Sequence, residues 1–477
     1  MNFQSLAFIA FAAVSVPVCL LAGGKDRRVG RWLVAVCSLL FYVLGSESLW
    51  GLVVLLAGCA VSRCAIRRLG RVETDGAKRK RVLLAGCGYH VAVLAAFKYA
   101  GFFSGGAVSV GWVPLGLSFF TFQQLWLLKE AYTGEFVPAR GDSLLLYGLF
   151  FPTVTSGPIL RPKSFFPQLA KGRFLRPDWA DIAAGLYAIC CGMAKKVLLA
   201  DPLGIVVGNG YAAAAELSAP GAWLIMLAYT LQLYLDFSGY CDIASGLARL
   251  LGLRLPVNFD SPYRALSVGE FWKRWHMTLT GFLRECVYIP LGGSRRGAAR
   301  TYGNILLVFL ISGFWHGAGW TFLLWGAAHG LAQIGERALG ARRERLPKAV
   351  RWGSTFLFLN VAWVPFRAPS LSTASAVLSA AFSGGGGPAQ AWLLEGLFAT
   401  ERTALAALSP ALAETFPWFA LAALLAAALL ASLLPGNTIR RMDTFRPTAP
   451  RCFALAVLFA WCVVSFTGVT GFIYSNF

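Results

Sequence analysis

The amino-acid sequence predicts an all-α, polytopic integral membrane protein. Hydrophobic residues make up 57% of the chain and charged residues only 14%, far from the balance of a soluble domain. Apolar runs near the length that crosses a bilayer as a helix recur along the chain. We expect a single membrane domain over residues 1–477, a helical bundle of about ten full spans plus re-entrant and interfacial helices.

Short clusters of arginine and lysine orient these spans. We place all of them in the cytoplasm, as the positive-inside rule requires. The clusters lie at residues 25–31, 63–81, 161–176, 254–300, 337–351 and 440–451. The first apolar segment lacks a basic n-region and a small-residue cleavage site, so we expect a retained span with the N-terminus outside. The C-terminus is also expected outside. The formal charge of +21 then reflects topology, and no nucleic-acid partner is expected.

The expected crossings follow the apolar segments in order. They are residues 3–22, 31–45, 47–62, 82–103, 113–132, 179–200, 220–240, 352–367, 416–434 and 452–473. Residues 143–160 lie between two cytoplasmic clusters, so a re-entrant or tilted hairpin broken by the TSGP sequence at 155–158 is expected there. Residues 303–333 also begin and end inside. Residues 370–415, which include the run of glycines at 384–387, are expected to form an outer region.

Residues 267–285 have the pattern of an amphipathic helix in the membrane interface. Ser267 and Glu270 have the spacing of a capping box, which marks a helix start. At about 100° per residue, charged side chains lie opposite a face of Trp, Phe and Leu, with His276 at the edge of that apolar face. Such a helix lies on the membrane without spanning it. His276 is therefore expected against protein or lipid, where burial would favour its neutral form.

Residues 303–333 have the pattern of a hydrophobic hairpin with a histidine at its turn. Their only ionisable side chains are His316 and His329. Two equal arms would each be about 23 Å long, shorter than a hydrocarbon core of about 30 Å. His316 is then expected part-way across the bilayer, unless the arms extend beyond these limits. The glycines around it in SGFWHGAG (312–319) would let another molecule approach closely.

Several motifs in and around residues 230–333 resemble the core of the membrane-bound O-acyltransferase (MBOAT) superfamily. They are PVNFDSPY (256–263), SVGEFWKRWHMTL (267–279), YIPLGG (288–293) and GFWHGAGWTFLLWGAAHG (313–330), with LYLDFSGYCDIASGLARLLGL (233–253), FTFQ near Phe122 and the final FIYSNF. The branch that they resemble is the bacterial one, with alginate O-acetyltransferase and the D-alanyl transferase of teichoic acids. One departure is Arg284-Glu285-Cys286, where this group often has Arg-Asp-Tyr.

The resemblance implies acyl-transfer chemistry, with His316 as the base and His276 orienting the acyl group or polarising its carbonyl. A hydroxyl is a poor nucleophile at neutral pH, so a base must take its proton as it attacks, and a neutral imidazole suits that task. No acidic residue is locally placed to complete a Ser-His-Asp triad, so a covalent serine intermediate is not favoured. Other residues expected to line the substrate cavity are Asp236, Gln232, Trp315, Asn258, Arg274 and Tyr288.

The resemblance also implies a donor, an acceptor and a location. The donor is expected to be a cytoplasmic acyl thioester, of coenzyme A (as acetyl-CoA) or of an acyl carrier protein, used as a substrate; no permanently bound cofactor and no metal are expected. The acyl group, acetyl in the first instance, would pass across the bacterial cytoplasmic membrane toward an exported polysaccharide. A periplasmic or extracellular acyltransferase partner would finish the transfer.

Two alternatives to this function stay open. One is D-alanyl transfer from a carrier protein toward teichoic acid or another envelope polymer. The other is a transporter or flippase that uses the same cavity without bond chemistry. A transporter would be expected to show paired acidic residues or an internal repeat, and the sequence shows neither clearly.

Other polar residues have simpler interpretations. The polar face formed by Tyr229, Gln232, Asp236 and Tyr240 either bonds neighbouring helices or lines the cavity. His90 and His329 are expected to be structural. The eleven cysteines lack a C-x-x-C pair and are expected to fill apolar space. The pair at 295–296, Arg-Arg after Gly-Gly, marks topology or contacts an anionic donor.

Overall fold

The computed structural model describes residues 3, 5–72, 75–108, 111–136, 141–170, 173–383, 387–468 and 473, and every regular element in them is a helix. The predicted all-α class is confirmed. The α-helices are α1 Leu6–Lys25, α2 Arg27–Gly45, α3 Leu49–Arg71, α4 Gly76–Leu94, α5 Ala100–Phe103, α6 Leu117–Thr133, α7 Gly141–Leu149, α8 Pro162–Ala170, α9 Trp179–Met193, α10 Asp201–Ala212, α11 Ala219–Leu250, α12 Val268–Trp272, α13 Met277–Leu283, α14 Gly297–His316, α15 Trp320–Leu339, α16 Ala341–Glu344, α17 Lys348–Arg367, α18 Leu371–Phe382, α19 Ala399–Ala406, α20 Pro410–Leu433, α21 Thr438–Met442 and α22 Ala449–Val464. Segments of π-helix cover Ala95–Tyr99, Ala194–Ala200 and Arg284–Tyr288.

Seven helical stretches among the described residues are long and apolar enough to cross a membrane. They are Leu6–Lys25, Arg27–Gly45, Leu49–Arg71, Gly76–Phe103, Trp179–Ala212, Gly297–His316 and Pro410–Leu433. The other predicted crossings fall on α6, α11, α17 and α22. Helices α6 and α22 have 17 and 16 residues, and polar residues such as Gln232 in α11 and Asn360 in α17 interrupt the apolar runs of the other two. The number of spans counted by length and composition is therefore lower than expected.

The long helix α11 forms the centre of the bundle. Ser218 begins it, with a hydroxyl that accepts a hydrogen bond from the backbone N–H of Gly221 at 3.2 Å. Every residue from 228 to 249 is buried, so this helix is surrounded by protein. It packs closely on α9, since a Cβ on Gly192 would lie 2.5 Å from the Gly239 carbonyl oxygen. Small residues that let two helix backbones touch are typical of membrane helix pairs.

Ion pairs join α11 to its neighbours inside the bundle. The Lys195 ammonium lies 2.6 Å from Asp242, and the Lys196 ammonium lies 2.6 Å from Asp236 and 2.7 Å from Asp201. The other carboxylate oxygen of Asp236 accepts a hydrogen bond from the Ile473 backbone at 2.9 Å. Buried charges need such partners. Of the two roles open for the polar face of α11, the structure thus shows inter-helix bonding for Asp236.

The predicted single amphipathic helix at 267–285 is wrong. Its start is correct, because the Ser267 hydroxyl accepts from the Glu270 N–H at 2.9 Å. The helix ends at Trp272, however, and a second helix begins after His276. Two backbone hydrogen bonds to a distant segment stabilise this break. The Asp260 N–H donates to the Arg274 carbonyl at 2.9 Å, and the Met277 N–H donates to the Asn258 carbonyl at 2.9 Å. The apolar face therefore packs against protein.

The hairpin is longer than its apolar core suggested. Its arms, α14 and α15, have 20 residues each, about 30 Å at 1.5 Å per residue. The short-arm argument for residues 303–333 therefore fails. The glycines near His316 were expected to let another molecule approach, but the structure shows a different role for them. A Cβ on Gly313 would lie 2.3 Å from the Phe322 carbonyl oxygen, and one on Gly317 would lie 2.0 Å from the Phe322 ring, so these glycines let the two arms pack.

Residues 143–160 form no spanning helix, as predicted. The short helix α7 leads into irregular turns whose residues 150–154 are buried, where irregular backbone is tolerated in a membrane protein. Residues 370–415 contain α18 and α19, while residues 384–386 of the glycine run lie outside the described residues. The final FIYSNF is described only at Ile473. Which side of the membrane each loop occupies stays a prediction.

Candidate functional site

The break between α12 and α13 places His276 in the protein interior. Its side chain is 0% exposed, and its backbone is left-handed, with φ 43° and ψ 52°. The ring nitrogen Nδ1 lies 3.1 Å from Asn258 Oδ1. The same oxygen accepts hydrogen bonds from the backbone N–H and the hydroxyl of Thr278, at 3.2 and 2.9 Å. One amide oxygen thus holds the histidine and the first turn of α13 together.

These hydrogen bonds define which ring nitrogen of His276 carries the proton. The Thr278 N–H can only donate, so the Asn258 atom that it faces is the oxygen. Because that oxygen can only accept, Nδ1 of His276 must donate to it. In the neutral ring the lone pair is then on Nε2. The resemblance allowed a role in polarising a carbonyl, which needs a donor at Nε2 and hence a charged ring.

His316 lies at the last residue of α14, enclosed by aromatic rings. It is 2% exposed. Its ring meets Trp315, Trp325 and Phe366 edge-on, with centroid separations of 4.7, 5.2 and 5.1 Å. Edge-to-face packing at these separations is favourable. The imidazole is thereby kept in a water-poor enclosure at the turn of the hairpin.

Trp315 joins the two histidines into one cluster. Its ring centroid lies 6.3 Å from that of His276 and 4.7 Å from that of His316. The indole stacks on Phe122 at 5.0 Å and meets Phe119 at 5.3 Å. Of the residues predicted for the site, the structure thus brings together His276, Asn258, Trp315 and His316. We refer to these four residues as the histidine cluster.

Lys98 belongs beside the histidine cluster, although the sequence did not single it out. Its ammonium donates hydrogen bonds to the Trp315 carbonyl at 2.5 Å and to the Ser118 hydroxyl at 3.1 Å. It also lies 5.7 Å from the centroid of the Trp315 ring. The available signal was a lysine inside an apolar span, since such a charge is costly there and marks a functional candidate.

Four other predicted cavity residues lie elsewhere or have other contacts. Arg274 binds Glu270 at 2.9 Å on the partly exposed side of α12. Asp236 is occupied by its ion pair with a lysine. Gln232 packs against Gly204, whose added Cβ would lie 2.7 Å from the amide nitrogen. Tyr288 lines the cation-lined cavity described below.

The two remaining histidines have the packing contacts expected of structural residues. His329 is 0% exposed, and its Nδ1 accepts a hydrogen bond from the Trp272 indole N–H at 3.2 Å. His90 lies 2.9 Å from the Ser62 hydroxyl through Nε2. Within the described residues, no group of three His, Cys, Asp or Glu side chains is arranged to hold a metal ion.

A cavity of about 540 Å³ lies at the protein surface, and no residue of the histidine cluster lines it. It lies between the α12–α13 region and the helices α14, α15 and α17. Its basic lining consists of Lys273, Arg284, Arg337, Arg343 and Arg351. The rest of its wall combines apolar residues with polar ones, among them Ser312, and includes two carboxylates, Glu336 and Glu344. Ser312 precedes His316 by four residues on α14, so the two lie on the same side of the helix.

Most of the positive charge around this cavity is not neutralised by carboxylates. Arg343 pairs with Glu336 at 3.0 Å, and Glu336 also accepts hydrogen bonds from the first backbone N–H groups of α12, at 2.8 and 3.1 Å. The other four basic side chains form no ion pair with a described carboxylate. The surface opening of this cavity, its mouth, therefore carries basic side chains without carboxylate partners. Anions are the ligands that such a mouth attracts.

The Arg-Glu-Cys departure at 284–286 lies in an ion cluster beside this region. Glu285 pairs with Arg161 at 2.6 Å, so its carboxylate has a structural partner. Glu135 belongs to the same cluster, and hydrogen bonds from Lys129 and Lys163 lower the pKa of its carboxyl to about 2. Glu285, which replaces the aspartate of the Arg-Asp-Tyr pattern, thus forms an ion pair with Arg161.

The chain is thus a polytopic helical membrane protein with two histidines buried in one cluster and a separate cavity lined by cations. Comparison with known proteins then identifies the family. The sequence model of one protein family, MBOAT, the membrane-bound O-acyltransferase family, matches residues 143–368 of this chain. The chain is 37% identical over 386 residues to a peptidoglycan O-acetyltransferase of Helicobacter pylori, covering 73% of this chain and 72% of the relative.

Two further relatives support the same assignment. A probable alginate O-acetylase AlgI of Pseudomonas putida is 35% identical over 405 residues, which is 81% of each chain. A teichoic acid D-alanyltransferase of Bacillus subtilis is 30% identical over 227 residues, covering 45% of this chain and 56% of that protein. The chain therefore belongs to the membrane-bound O-acyltransferase family and is an O-acyltransferase. Membership in this family sets aside the transporter alternative.

Proposed function

We propose that this enzyme passes an acetyl group from a cytoplasmic thioester donor to a hydroxyl acceptor, for the modification of an exported cell-envelope polysaccharide. The observation that carries the proposal is the cation-lined cavity, whose wall includes Ser312, four residues before His316 on α14. A donor entering from the basic mouth would bring its acyl end toward the histidine cluster. The longer coverage by O-acetyltransferase relatives supports acetyl over D-alanyl.

The chemistry of the cavity fits a thioester carried on a phosphate-bearing arm. Coenzyme A and the prosthetic arm of a carrier protein both have phosphates, which guanidinium and ammonium groups bind well. The apolar wall formed by residues such as Leu279 and Phe309 suits the arm. The Ser312 hydroxyl is buried and has no hydrogen-bond partner among the described residues. It could therefore bond to an amide or carbonyl of the donor.

The transfer itself is one proton abstraction and one acyl substitution. His316 takes the proton of the acceptor hydroxyl as its oxygen attacks the thioester carbonyl carbon. The new C–O bond forms, the C–S bond breaks, and the leaving thiolate receives a proton from the imidazolium. The neutral His276, with its lone pair on Nε2, would orient the acceptor hydroxyl by accepting its hydrogen bond. This role replaces carbonyl polarisation in the mechanism.

The location and the partners are part of the same proposal. The enzyme would lie in the cytoplasmic membrane of a bacterium, with the cavity in the cytoplasm and both chain ends outside, and the basic clusters support this orientation by the positive-inside rule. The final acceptor would be a polysaccharide, reached directly or through a periplasmic or extracellular acyltransferase. A second candidate donor is a D-alanyl carrier protein, which the similarity to the teichoic acid enzymes favours.

The test is acyl transfer by purified protein in proteoliposomes supplied with radiolabelled acetyl-CoA or with D-alanyl carrier protein. Acetyl transfer from acetyl-CoA is the expected result. Replacing Arg284 by Gln should raise KM for the donor roughly 10-fold, because a hydrogen bond to a charged group contributes about 1.5 kcal/mol or more. Arg264→Gln is the matched control, since this exposed arginine does not line the cavity. Transfer from the D-alanyl carrier alone would replace the proposal by its alternative.

A further inference from the structure

Lys98 is a charged residue in a place where a charge is costly. It lies within the stretch Gly76–Phe103, which is apolar enough to cross a membrane. In the described part of the chain no carboxylate forms an ion pair with it. Lys195 and Lys196, by contrast, each have one or two carboxylate partners. A lysine kept in such a position without a counter-ion needs another reason to be there.

The contacts of Lys98 all converge on the end of α14. Its ammonium donates to the carbonyl of Trp315 at 2.5 Å, although the two residues are 217 positions apart. Its second acceptor is the Ser118 hydroxyl at 3.1 Å. The Ser118 carbonyl in turn accepts a hydrogen bond from the Trp315 indole N–H at 3.4 Å. Lys98 and Ser118 therefore hold this tryptophan at both its backbone and its side chain.

The end of a helix is where a cation has most effect. The last carbonyl groups of α14 have no donors within the helix, and they form the negative end of its dipole. A lysine ammonium can satisfy one of them and interact favourably with that end. His316 follows Trp315 directly and is the last residue of α14. The position of its imidazole thus depends on how this turn is held.

We propose that Lys98 is a positioning residue for acyl transfer, which fixes the last turn of α14 and with it Trp315 between His276 and His316. The inference rests on the proposed role of His316 as the base. Misplacement of a reacting group by about 1 Å can cost 10²-fold in rate, so the effect of losing this contact belongs in the turnover rate.

The first measurement is steady-state transfer by Lys98→Met and Lys98→Arg in proteoliposomes. Lys98→Met, which keeps the length of the side chain, should lower kcat roughly 10- to 100-fold with donor KM within about twofold of the parent. Lys98→Arg, which can still donate to the carbonyl, should recover part of that loss. Lys196→Met is the control for removing a buried lysine, and its expected effect is on thermal stability, because it leaves buried carboxylates unpaired.

The second measurement reports on the histidines themselves. The chain has only four, so ring ¹⁵N signals of histidine-labelled protein can be assigned by substitution. Lys98→Met should shift the ring signals of His316 while those of His90 and His329 stay in place. A purely structural lysine would move none of them in folded protein, or all of them together with a loss of stability.

The outcomes distinguish the positioning role of Lys98 from the role of His316 as the base. Parental kcat in folded Lys98→Met, or a loss of activity that only follows the folded fraction, overturns the positioning role. His316→Gln is assayed in parallel. If that variant loses transfer while Lys98→Met does not, only the inference about Lys98 fails. If His316→Gln transfers at the parental rate, the base assignment fails and the role of Lys98 fails with it.

Discussion

The left-handed backbone of His276 allows a prediction that separates strain from chemistry. At φ 43° and ψ 52°, a residue with a Cβ is disfavoured by roughly 1–2 kcal/mol relative to glycine. A glycine also loses about 0.5–1 kcal/mol more than alanine through the freedom of the unfolded chain. We therefore expect the free energy of unfolding of His276→Gly to be about 0.5–1 kcal/mol higher than that of His276→Ala. Both variants lose the same imidazole, so the difference isolates the backbone.

The assay is thermal unfolding of the two variants in the same detergent, with acyl transfer measured alongside. For a chain of 477 residues, a difference of this size corresponds to a higher Tm for His276→Gly by about 0.5–1 °C. Both variants should lose most transfer activity, because neither has the ring that Asn258 holds. If His276→Ala is as stable as His276→Gly or more stable, the strain argument is refuted. If either variant keeps near-parental transfer, His276 is not part of the site.

Three further predictions test the framework of the site. Asn258→Leu removes the acceptor of three hydrogen bonds and should lower stability by about 1–3 kcal/mol per buried donor left unpaired, with transfer falling more than the folded fraction; equal stability would contradict the network. Gly326→Ala puts a Cβ 2.4 Å from a carbonyl oxygen of α14 and should lower Tm, whereas Gly319→Ala, whose nearest contact would be 3.6 Å, should not; equal Tm values would refute the packing argument. The pKa of Glu135 is lowered to about 2 from 4.5, so its ion pairs stabilise the fold above pH 4.5 and are lost as the pH falls toward 2; Glu135→Gln should flatten that part of the stability profile, and an unchanged profile would count against the ion cluster.

Much of the membrane architecture could be predicted because its signals are local. Apolar runs and basic clusters are properties of neighbouring residues, and they were sufficient for the all-α class. His316 and His276 were found for a similar reason, since an ionisable residue is conspicuous in an apolar segment. The structure places both in one buried cluster.

The errors come from contacts between distant parts of the chain. The break between the two helices is held by one backbone hydrogen bond donated by residue 260 and one accepted by residue 258. The periodicity of 267–285 does not reveal these bonds. The contact of Lys98 with Trp315 joins residues 217 positions apart. The glycines near His316 were assigned to ligand approach, because the sequence does not show that the second arm of the hairpin fills that space. Local pattern therefore located the histidines, and tertiary contacts determined how they are held.

The most direct test of the central claim is acyl transfer by folded His316→Gln, with thermal stability measured on the same sample. If His316 is the base, this variant should lose at least the ~10²–10⁴-fold that positioned proton transfer supplies, because the amide can hydrogen-bond but cannot take the proton. The parent rate should also fall on the acid side of its pH profile as the imidazole becomes charged. A His316→Gln protein that is equally stable and transfers acyl groups at the parental rate would contradict the mechanism.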